Sequence, residues 1–204
     1  DIPPQNAFIH LIKRIPMGAG LGGGSSDAAA VLNGLNRYYG CPFDRPKIMA
    51  MALKLGADVP FFIDGKPALA SGIGEILFPY DQLPPLGVVV VYPGFAISTA
   101  EVFKNLNFGL TKEEKPHRYF PFKQGKFDMD RHMVNDLESV AIRQFPAIEK
   151  ITNRLLNQGA KGALMTGSGS AVFGLFADSS SARKAAKAMA APARWQVFVT
   201  QLAC

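Results

Sequence analysis

The sequence predicts an α+β protein of two domains, and three observations lead to that prediction. Apolar segments of strand length alternate with segments of helical periodicity along the 204 residues. Short turns rich in Gly, Asp and Ser join several neighbouring strands, which favours hairpins and therefore mixed or antiparallel sheets. The polar, Pro-containing stretch at 81–85 interrupts this pattern. We therefore expect one domain over residues 1–83 and a second over residues 84–204.

In the first half, the alternating apolar segment 7–15 predicts a strand that leads into a glycine-rich loop. The Ala-rich stretch 26–39 predicts the first helix. Asp44 is a favourable N-cap for a second helix, which Gly56 is expected to end. Strands are predicted for the rest of this half, with Asp64-Gly65 as a hairpin turn: 61–63, 67–70 and 74–78.

The second half opens with an apolar run at 87–92, which predicts a buried strand. Ser98-x-x-Glu101 is a capping-box pattern for a short helix. Residues 109–128 are polar and rich in Pro and Lys, which favours a mobile loop. A helix over 136–157 should be broken near Pro146, because proline lacks the amide hydrogen that a helix interior needs. The remaining predicted elements are strands at 163–165, 171–176 and 195–201 and a helix at 182–191.

The most informative segment of the chain is the glycine-rich loop between the first strand and the first helix. Five glycines fall within the seven positions 18–24, and two serines follow them. A strand, a glycine loop and a helix start, in that order, point backbone N–H groups and the positive end of a helix dipole at one spot, which favours phosphate. The residues expected to contact phosphate are Pro16, Met17, Gly18, Ala19, Gly20, Leu21, Gly22, Gly23, Gly24, Ser25 and Ser26.

The spacing of this loop excludes two common nucleotide-binding motifs. A P-loop needs a lysine directly before its hydroxyl residue, and Gly24 occupies that position. Gly18-x-Gly20-x-x-Gly23 has the dinucleotide spacing, but that motif also needs an acidic residue at the end of a second strand. Asp44 has the right separation and lies in a loop that caps a helix. The dinucleotide interpretation therefore fails on context.

Other residues admit both a structural and a chemical interpretation. Asp58 follows Gly56 in an apolar stretch; it is either a cap or turn residue or a group that accepts a proton from a substrate hydroxyl beside a phosphoryl donor. The loop of Thr166, Gly167, Ser168, Gly169 and Ser170 is either a hairpin turn or part of a polyanion site. Thr99 and Phe103 share one helical face, either as a packing pair or as an aromatic platform for a base.

Bulk properties narrow the class of function. The net charge of +6 suits anionic ligands, but the basic residues are not clustered as nucleic-acid binding would require. We see no signal peptide and no apolar run of membrane-spanning length, and two cysteines fit a reducing cytoplasm. The three histidines have no metal-ligand spacing. We expect a cytoplasmic monomer or homodimer that binds a small molecule, with no nucleic-acid or membrane partner.

The motifs resemble those of the GHMP kinases, the small-molecule kinases that include galactokinase, homoserine, mevalonate and phosphomevalonate kinases. The segment from Pro16 to Ala29 is similar to their second motif, and Thr166-Gly-Ser-Gly169 is similar to their third. Three further blocks resemble one branch of the family, which phosphorylates 4-diphosphocytidyl-2-C-methyl-D-erythritol in non-mevalonate isoprenoid biosynthesis. They are residues 55–62, residues 70–75 and the stretch from Tyr92 to Thr99.

The resemblance implies a fold, a reaction and roles for individual residues. The fold would be an N-terminal domain like the second domain of ribosomal protein S5, followed by a ferredoxin-like domain. ATP would be the phosphoryl donor to the 2-hydroxyl of the substrate, with Mg²⁺ neutralising phosphate charge. Residues 16–26 would bind the ATP phosphates and Asp58 would be catalytic. Thr99 and Phe103 would contact the cytidine end, and residues 166–169 would close over the reacting groups.

One expected family feature has no match in this sequence. The family's first motif supplies a lysine that acts with the catalytic aspartate, and residues 1–15 contain no such segment; Lys13 is not an equivalent. We therefore expect the sequence to be N-terminally incomplete, without the first strands of the fold and with uncertain activity as given. Two alternatives remain open, namely another kinase of the same family and a nucleotide-binding module that does not catalyse.

Overall fold

The computed structural model describes residues 7–104, 127–190 and 195–202, and it has the α+β architecture that the sequence predicts. Its strands are β1 Ala68–Ser71, β2 Ile76–Pro79, β3 Gly87–Tyr92, β4 Gly162–Met165, β5 Val172–Phe176 and β6 Gln196–Gln201. Its helices are α1 Gly23–Tyr38, α2 Arg45–Leu55, α3 Val59–Asp64, α4 Thr99–Lys104, α5 Met129–His132, α6 Glu138–Gln144, α7 Ala147–Asn157 and α8 Ser179–Met189.

The second half of the chain has the ferredoxin-like arrangement. Its four strands lie in the order β4-β5-β3-β6, and every neighbouring pair is antiparallel. Helices lie between β3 and β4 and between β5 and β6, which gives the β-α-β-β-α-β order of that fold. Val89 in the central strand pairs with Gly174 on one side and Val199 on the other. β3 is therefore an inner strand of the sheet, paired with a neighbour on each side.

Helices α7 and α8 pack against this sheet and form the larger hydrophobic core. Ile148, Ile151 and Leu155 lie on one face of α7 at helical spacing and are fully buried. They meet inward-facing strand residues such as Val89 and Phe176. The core thus fixes the ends of β4 and β5, between which the second glycine loop lies.

The first half is built from α1, α2, α3 and the β1–β2 hairpin. A small apolar core joins the three helices through Ala29, Ala52 and Val59. Asp44 caps α2 as predicted, because its carboxylate accepts a 3.0 Å hydrogen bond from the amide of Lys47. None of the helices in the described part of the chain is long and apolar enough to cross a membrane.

Three predictions for this half are wrong. The stretch 61–63 is not a strand; it lies within helix α3, which Pro60 helps to begin. Asp64-Gly65 is not a hairpin turn, because Gly65 ends α3 in the left-handed conformation, at φ 62°. Residues 7–15 form no strand among the described residues, and Phe8 and Ile12 stand exposed there.

In the second half the predicted elements are present, with small shifts at their ends. The break near Pro146 separates α6 from α7, and Gly159 follows α7 with a positive φ of 89°. The short helix α5 was not predicted, and most of the predicted loop 109–128 lies outside the described residues. The domain boundary at residues 83–84 stays a prediction.

Candidate active site

The first glycine loop curves tightly in front of helix α1. Gly18, Gly20 and Gly22 have positive φ values of 64°, 73° and 64°, a conformation that side chains disfavour. Helix α1 begins at Gly23, three residues before its predicted start. The amides of Gly23, Gly24 and Ser25 therefore belong to the first helical turn, where they have no partner within the helix. The loop thus presents free N–H groups at the positive end of a helix dipole.

A cleft of about 370 Å³ lies against this loop. Its walls are residues 16–25 together with Lys13, whose ammonium group forms an ion pair with Asp27 in the first turns of α1. Sequence reasoning gave Lys13 no role in the site. In the sequence, Lys13 is marked only by its position three residues before Pro16. Its partner Asp27 is 14 residues away, so no local pattern connects the two. Lys13 and Asp27 together place an ion pair without net charge beside the cleft.

The second glycine loop packs directly on the first. The Thr166 hydroxyl donates a 2.9 Å hydrogen bond to the carbonyl oxygen of Gly20. The amide of Ala171 donates a 3.1 Å bond to the carbonyl oxygen of Ala19. A Cβ on Gly20 would overlap the carbonyl oxygen of Thr166, so the glycine is required by close approach as well as by φ. The structure therefore brings together the two loops that the sequence singled out.

A third segment, the start of α4, joins the same cluster. The hydroxyls of Thr99 and Ser168 are 2.7 Å apart and hydrogen-bonded, and Ser168 is buried. The amide of Ile97 donates a 3.4 Å bond to the carbonyl oxygen of Gly18. Thr99 is thus placed beside the second loop. The side chain of Phe103 lies outside the described residues, so its predicted role stays a prediction.

Asp58 lies within an apolar stretch of the sequence, and the structure exposes it at the junction of α2 and α3. The ring of Phe62, one helical turn later, lies 2.7 Å from the position that a Cβ on Gly22 would occupy. The Asp58 carboxylate itself is 3.7 Å from the Cβ position of Gly74 in the β1–β2 turn. Helix α3, which begins directly after Asp58, therefore contacts the first glycine loop through Phe62. Its catalytic role remains a prediction.

Two ionisable groups in the second half of the chain have shifted pKa values. Glu138 is half-buried, and this loss of solvation raises the pKa of its carboxyl, although a hydrogen bond from the Met165 amide opposes the shift. Asp178, which caps α8, has its pKa lowered chiefly by the hydrogen bond from the amide of Ser181. Among the described residues, no group of three His, Cys, Asp or Glu side chains could hold a metal ion.

Comparison with known proteins places this geometry in a family. A family model described as "GHMP kinases N terminal domain" matches residues 2–66, and one described as "GHMP kinases C terminal" matches residues 126–194. A protein of Syntrophotalea carbinolica named 4-diphosphocytidyl-2-C-methyl-D-erythritol kinase is 46% identical over 193 residues, which are 95% of this chain and 68% of that protein. The chain belongs to the GHMP kinase family.

Further relatives agree with this assignment. A Geobacter metallireducens protein of the same name is 47% identical over 95% of this chain and 68% of its own length. A crystal structure of 4-(cytidine 5'-diphospho)-2C-methyl-D-erythritol kinase is 38% identical, with a TM-score of 0.72 over 93% of this chain and 68% of that one. This GHMP kinase therefore spans about two thirds of the length of these relatives, and the family resemblance of its motifs is confirmed.

The fold is also shared with more distant members. Homoserine kinase from Cytophaga hutchinsonii matches with a TM-score of 0.66 at 15% identity over 92% of this chain and 67% of that one. At this identity the likeness concerns the fold alone. It agrees with the GHMP kinase fold predicted from the sequence. The family models and the relatives of about 46% identity, and not this likeness, confirm that the chain is a small-molecule kinase.

Proposed function

We propose that the chain catalyses ATP-dependent phosphorylation of the 2-hydroxyl of 4-diphosphocytidyl-2-C-methyl-D-erythritol, in the cytoplasm, as a step of isoprenoid precursor synthesis. Relatives that bear the name of this kinase at 46% and 47% identity over 95% of the chain support the reaction. One structural observation carries the proposal. The first glycine loop, with its positive helix end, is backed by the second glycine loop and flanked by the segment that begins with Asp58.

The first glycine loop supplies what binding of a polyphosphate needs. Gly23, Gly24 and Ser25, whose amides have no partner within α1, line the cleft together with Lys13. In phosphoryl transfer the protein mainly positions the reactants and stabilises charge, so backbone amides at the start of α1 would account for much of the catalysis. The β- and γ-phosphates of ATP would lie against residues 18–25.

Asp58 would act on the acceptor alcohol. Asp58 is exposed, so a substrate hydroxyl can reach it, and Phe62 of the helix that follows Asp58 lies against Gly22 in the loop that would hold the phosphates. A carboxylate in this position accepts or orients the hydroxyl proton as the oxygen attacks phosphorus. Thr99, Phe103 and residues 166–169 would contact the substrate from the second domain.

The residues present fit a magnesium ion. Mg²⁺ in kinases is usually held by one or two protein oxygens together with substrate phosphates, so a closed cage of carboxylates is unnecessary. Ser25, whose side chain carries a hydroxyl oxygen, lines the cleft and would provide one such oxygen. When bound, the ion would neutralise phosphate charge and polarise the transferred group.

Replacement of Asp58 tests the proposal. In the full-length protein, Asp58→Asn should lower kcat by about 10²- to 10⁴-fold, the usual worth of a general base, and leave ATP affinity nearly unchanged. Asp81→Asn, at another exposed carboxylate, is the matched control and should retain wild-type activity. ATP consumption is measured by coupled assay, and nucleotide binding by calorimetry. An Asp58→Asn variant that turns over at the wild-type rate would exclude the assigned role.

The choice of substrate separates this proposal from its alternatives. The wild-type protein should consume ATP with the cytidine diphosphate methylerythritol compound and not with mevalonate or homoserine. Consumption with one of the latter would identify another kinase of the family. ATP binding without consumption of any of the three would indicate a nucleotide-binding module without catalytic activity.

A further inference from the structure

Two side chains at the start of α6 hold the second glycine loop by its backbone. The Asn135 side-chain amide donates hydrogen bonds to the carbonyl oxygens of Met165, at 2.9 Å, and Gly167, at 2.8 Å. A Glu138 carboxylate oxygen accepts a 2.9 Å bond from the amide of Met165. We call Asn135 and Glu138 the loop clamp. It binds three backbone groups of a segment about 30 residues further along the chain.

The clamp is itself fixed in place. The side-chain oxygen of Asn135 accepts a 3.0 Å hydrogen bond from the amide of Leu137, so its NH₂ group must point toward the loop. Glu138 is half-buried, and Val140 and Ala141 anchor the same helix in the core. Because Asn135 and Glu138 are each held by their own surroundings, the position of α6 determines the position of the second glycine loop.

The loop that is clamped carries the contacts between the two halves of the site. Thr166 and Ser168 alternate with the clamped positions Met165 and Gly167. The Thr166 hydroxyl binds the first glycine loop at Gly20, and the Ser168 hydroxyl binds Thr99. A shift of the clamped carbonyls would therefore move both hydroxyls relative to the phosphate cleft.

We propose that Asn135 and Glu138 are positioning residues for phosphoryl transfer, which set the second glycine loop against the first through the backbone of Met165 and Gly167. This inference rests on the proposed kinase function. Neither side chain is required to touch a substrate. The clamp aligns the groups that close over the reacting atoms, and misalignment by about 1 Å can lower a rate about 10²-fold. We therefore expect disruption of the clamp to lower kcat more than it lowers the affinity for ATP.

The experiment compares disruptive and conservative variants of the full-length protein. Asn135→Ala removes both donors, and Asn135→Asp places carboxylate oxygens against two carbonyl oxygens; each should lower kcat about 10²-fold and change KM for ATP less than about threefold. Glu138→Ala should lower kcat similarly. Glu138→Gln keeps an oxygen for the Met165 amide and should retain kcat within about threefold. Asn153→Ala and Glu149→Ala, at exposed positions of α7, are matched controls and should retain activity.

The results decide the inference whichever variants fold. Wild-type kcat in Asn135→Ala, or an equal loss in Glu138→Gln and Glu138→Ala, would overturn it. If the Asn135 variants do not fold, the Glu138 pair provides the same comparison. Hydrogen exchange of residues 166–170 gives a readout that needs no turnover. If the wild-type protein fails to phosphorylate the substrate, the proposed function is wrong. Faster exchange in Asn135→Ala than in Asn153→Ala would then still support the clamp, and equal exchange would exclude it.

Discussion

Replacement of Gly20 by alanine tests the contact between the two glycine loops. The new Cβ would overlap the Thr166 carbonyl oxygen and lie 3.0 Å from the amide nitrogen of Gly169. Neither atom can yield by itself, because the same carbonyl accepts a 2.9 Å hydrogen bond from that amide. The second loop must therefore move as a unit, away from the phosphate cleft.

The expected cost has two parts. A left-handed conformation costs an L-residue about 1–2 kcal/mol, and Gly20 has a φ of 73°. Insertion of a methyl group into a tightly packed contact costs about 1–3 kcal/mol more. We therefore expect Gly20→Ala to lower the free energy of unfolding by about 2–5 kcal/mol. Displacement of the loop should also weaken ATP binding by about tenfold or more.

Urea unfolding followed by circular dichroism measures the first effect, and calorimetric titration with a non-hydrolysable ATP analogue measures the second. The matched control is Gly34→Ala. Gly34 lies inside α1 with no atom within 4 Å of its Cβ position, so alanine there should stabilise the helix by about 0.5–1 kcal/mol. If Gly20→Ala unfolds at the wild-type urea concentration and binds the analogue normally, the close contact between the loops is refuted.

Two further predictions concern stability away from the cleft. Ile151→Ala in α7, at a fully buried core position, should lower the free energy of unfolding by about 2–5 kcal/mol and Ile151→Val by about 0.5–1.5 kcal/mol, as measured by urea unfolding; equal values for the two would contradict the packing described. Asp178→Ala should lower the melting temperature at neutral pH, because the amide of Ser181 loses its acceptor. Since the Asp178 pKa is lowered in the folded state, the stability that this carboxylate contributes is present above its unfolded-state pKa and is lost as pH falls through the folded-state pKa. The difference in melting temperature should therefore shrink in acid. Asp81→Ala, at another exposed carboxylate, is the control for loss of a surface carboxylate at neutral pH.

The sequence was sufficient where local chemistry determines structure. The apolar run 87–92 predicted a buried strand, and it is one of the two inner strands of the larger sheet. Asp44 before Pro46 specified the start of α2, because a capping carboxylate and a first-turn proline act within one turn. The first glycine loop was readable for the same reason, since its conformation depends on residues that lack a side chain.

The wrong and missing predictions concern segments whose structure is determined by tertiary contacts. The run from Val59 to Ile63 is apolar throughout and contains strand-forming residues, yet it is a helix buried against α1 and α2. Pro60 was the available signal for a helix start. The ion pair of Lys13 with Asp27 and the contacts of Asn135 with Met165 and Gly167 join residues 14 to 32 positions apart. No local pattern specifies such partners, so these residues emerged only from the structure.

The hydrogen bond from Thr166 to Gly20 joins residues 146 positions apart in the chain. A ligand that binds the first glycine loop only when the second loop is packed against it therefore stabilises both loops, although the second lies much later in the chain. By mass action, nucleotide at 100 times its dissociation constant adds about 2.7 kcal/mol to the stability of whatever must be folded for it to bind. The part of the chain stabilised in this way extends through Ala171 to β5, and from β5 to the rest of the four-stranded sheet. If ATP binds this cleft as proposed, ATP concentration and the stability of the sheet that contains β5 are thermodynamically linked, and ATP should raise the stability of a variant weakened in β5.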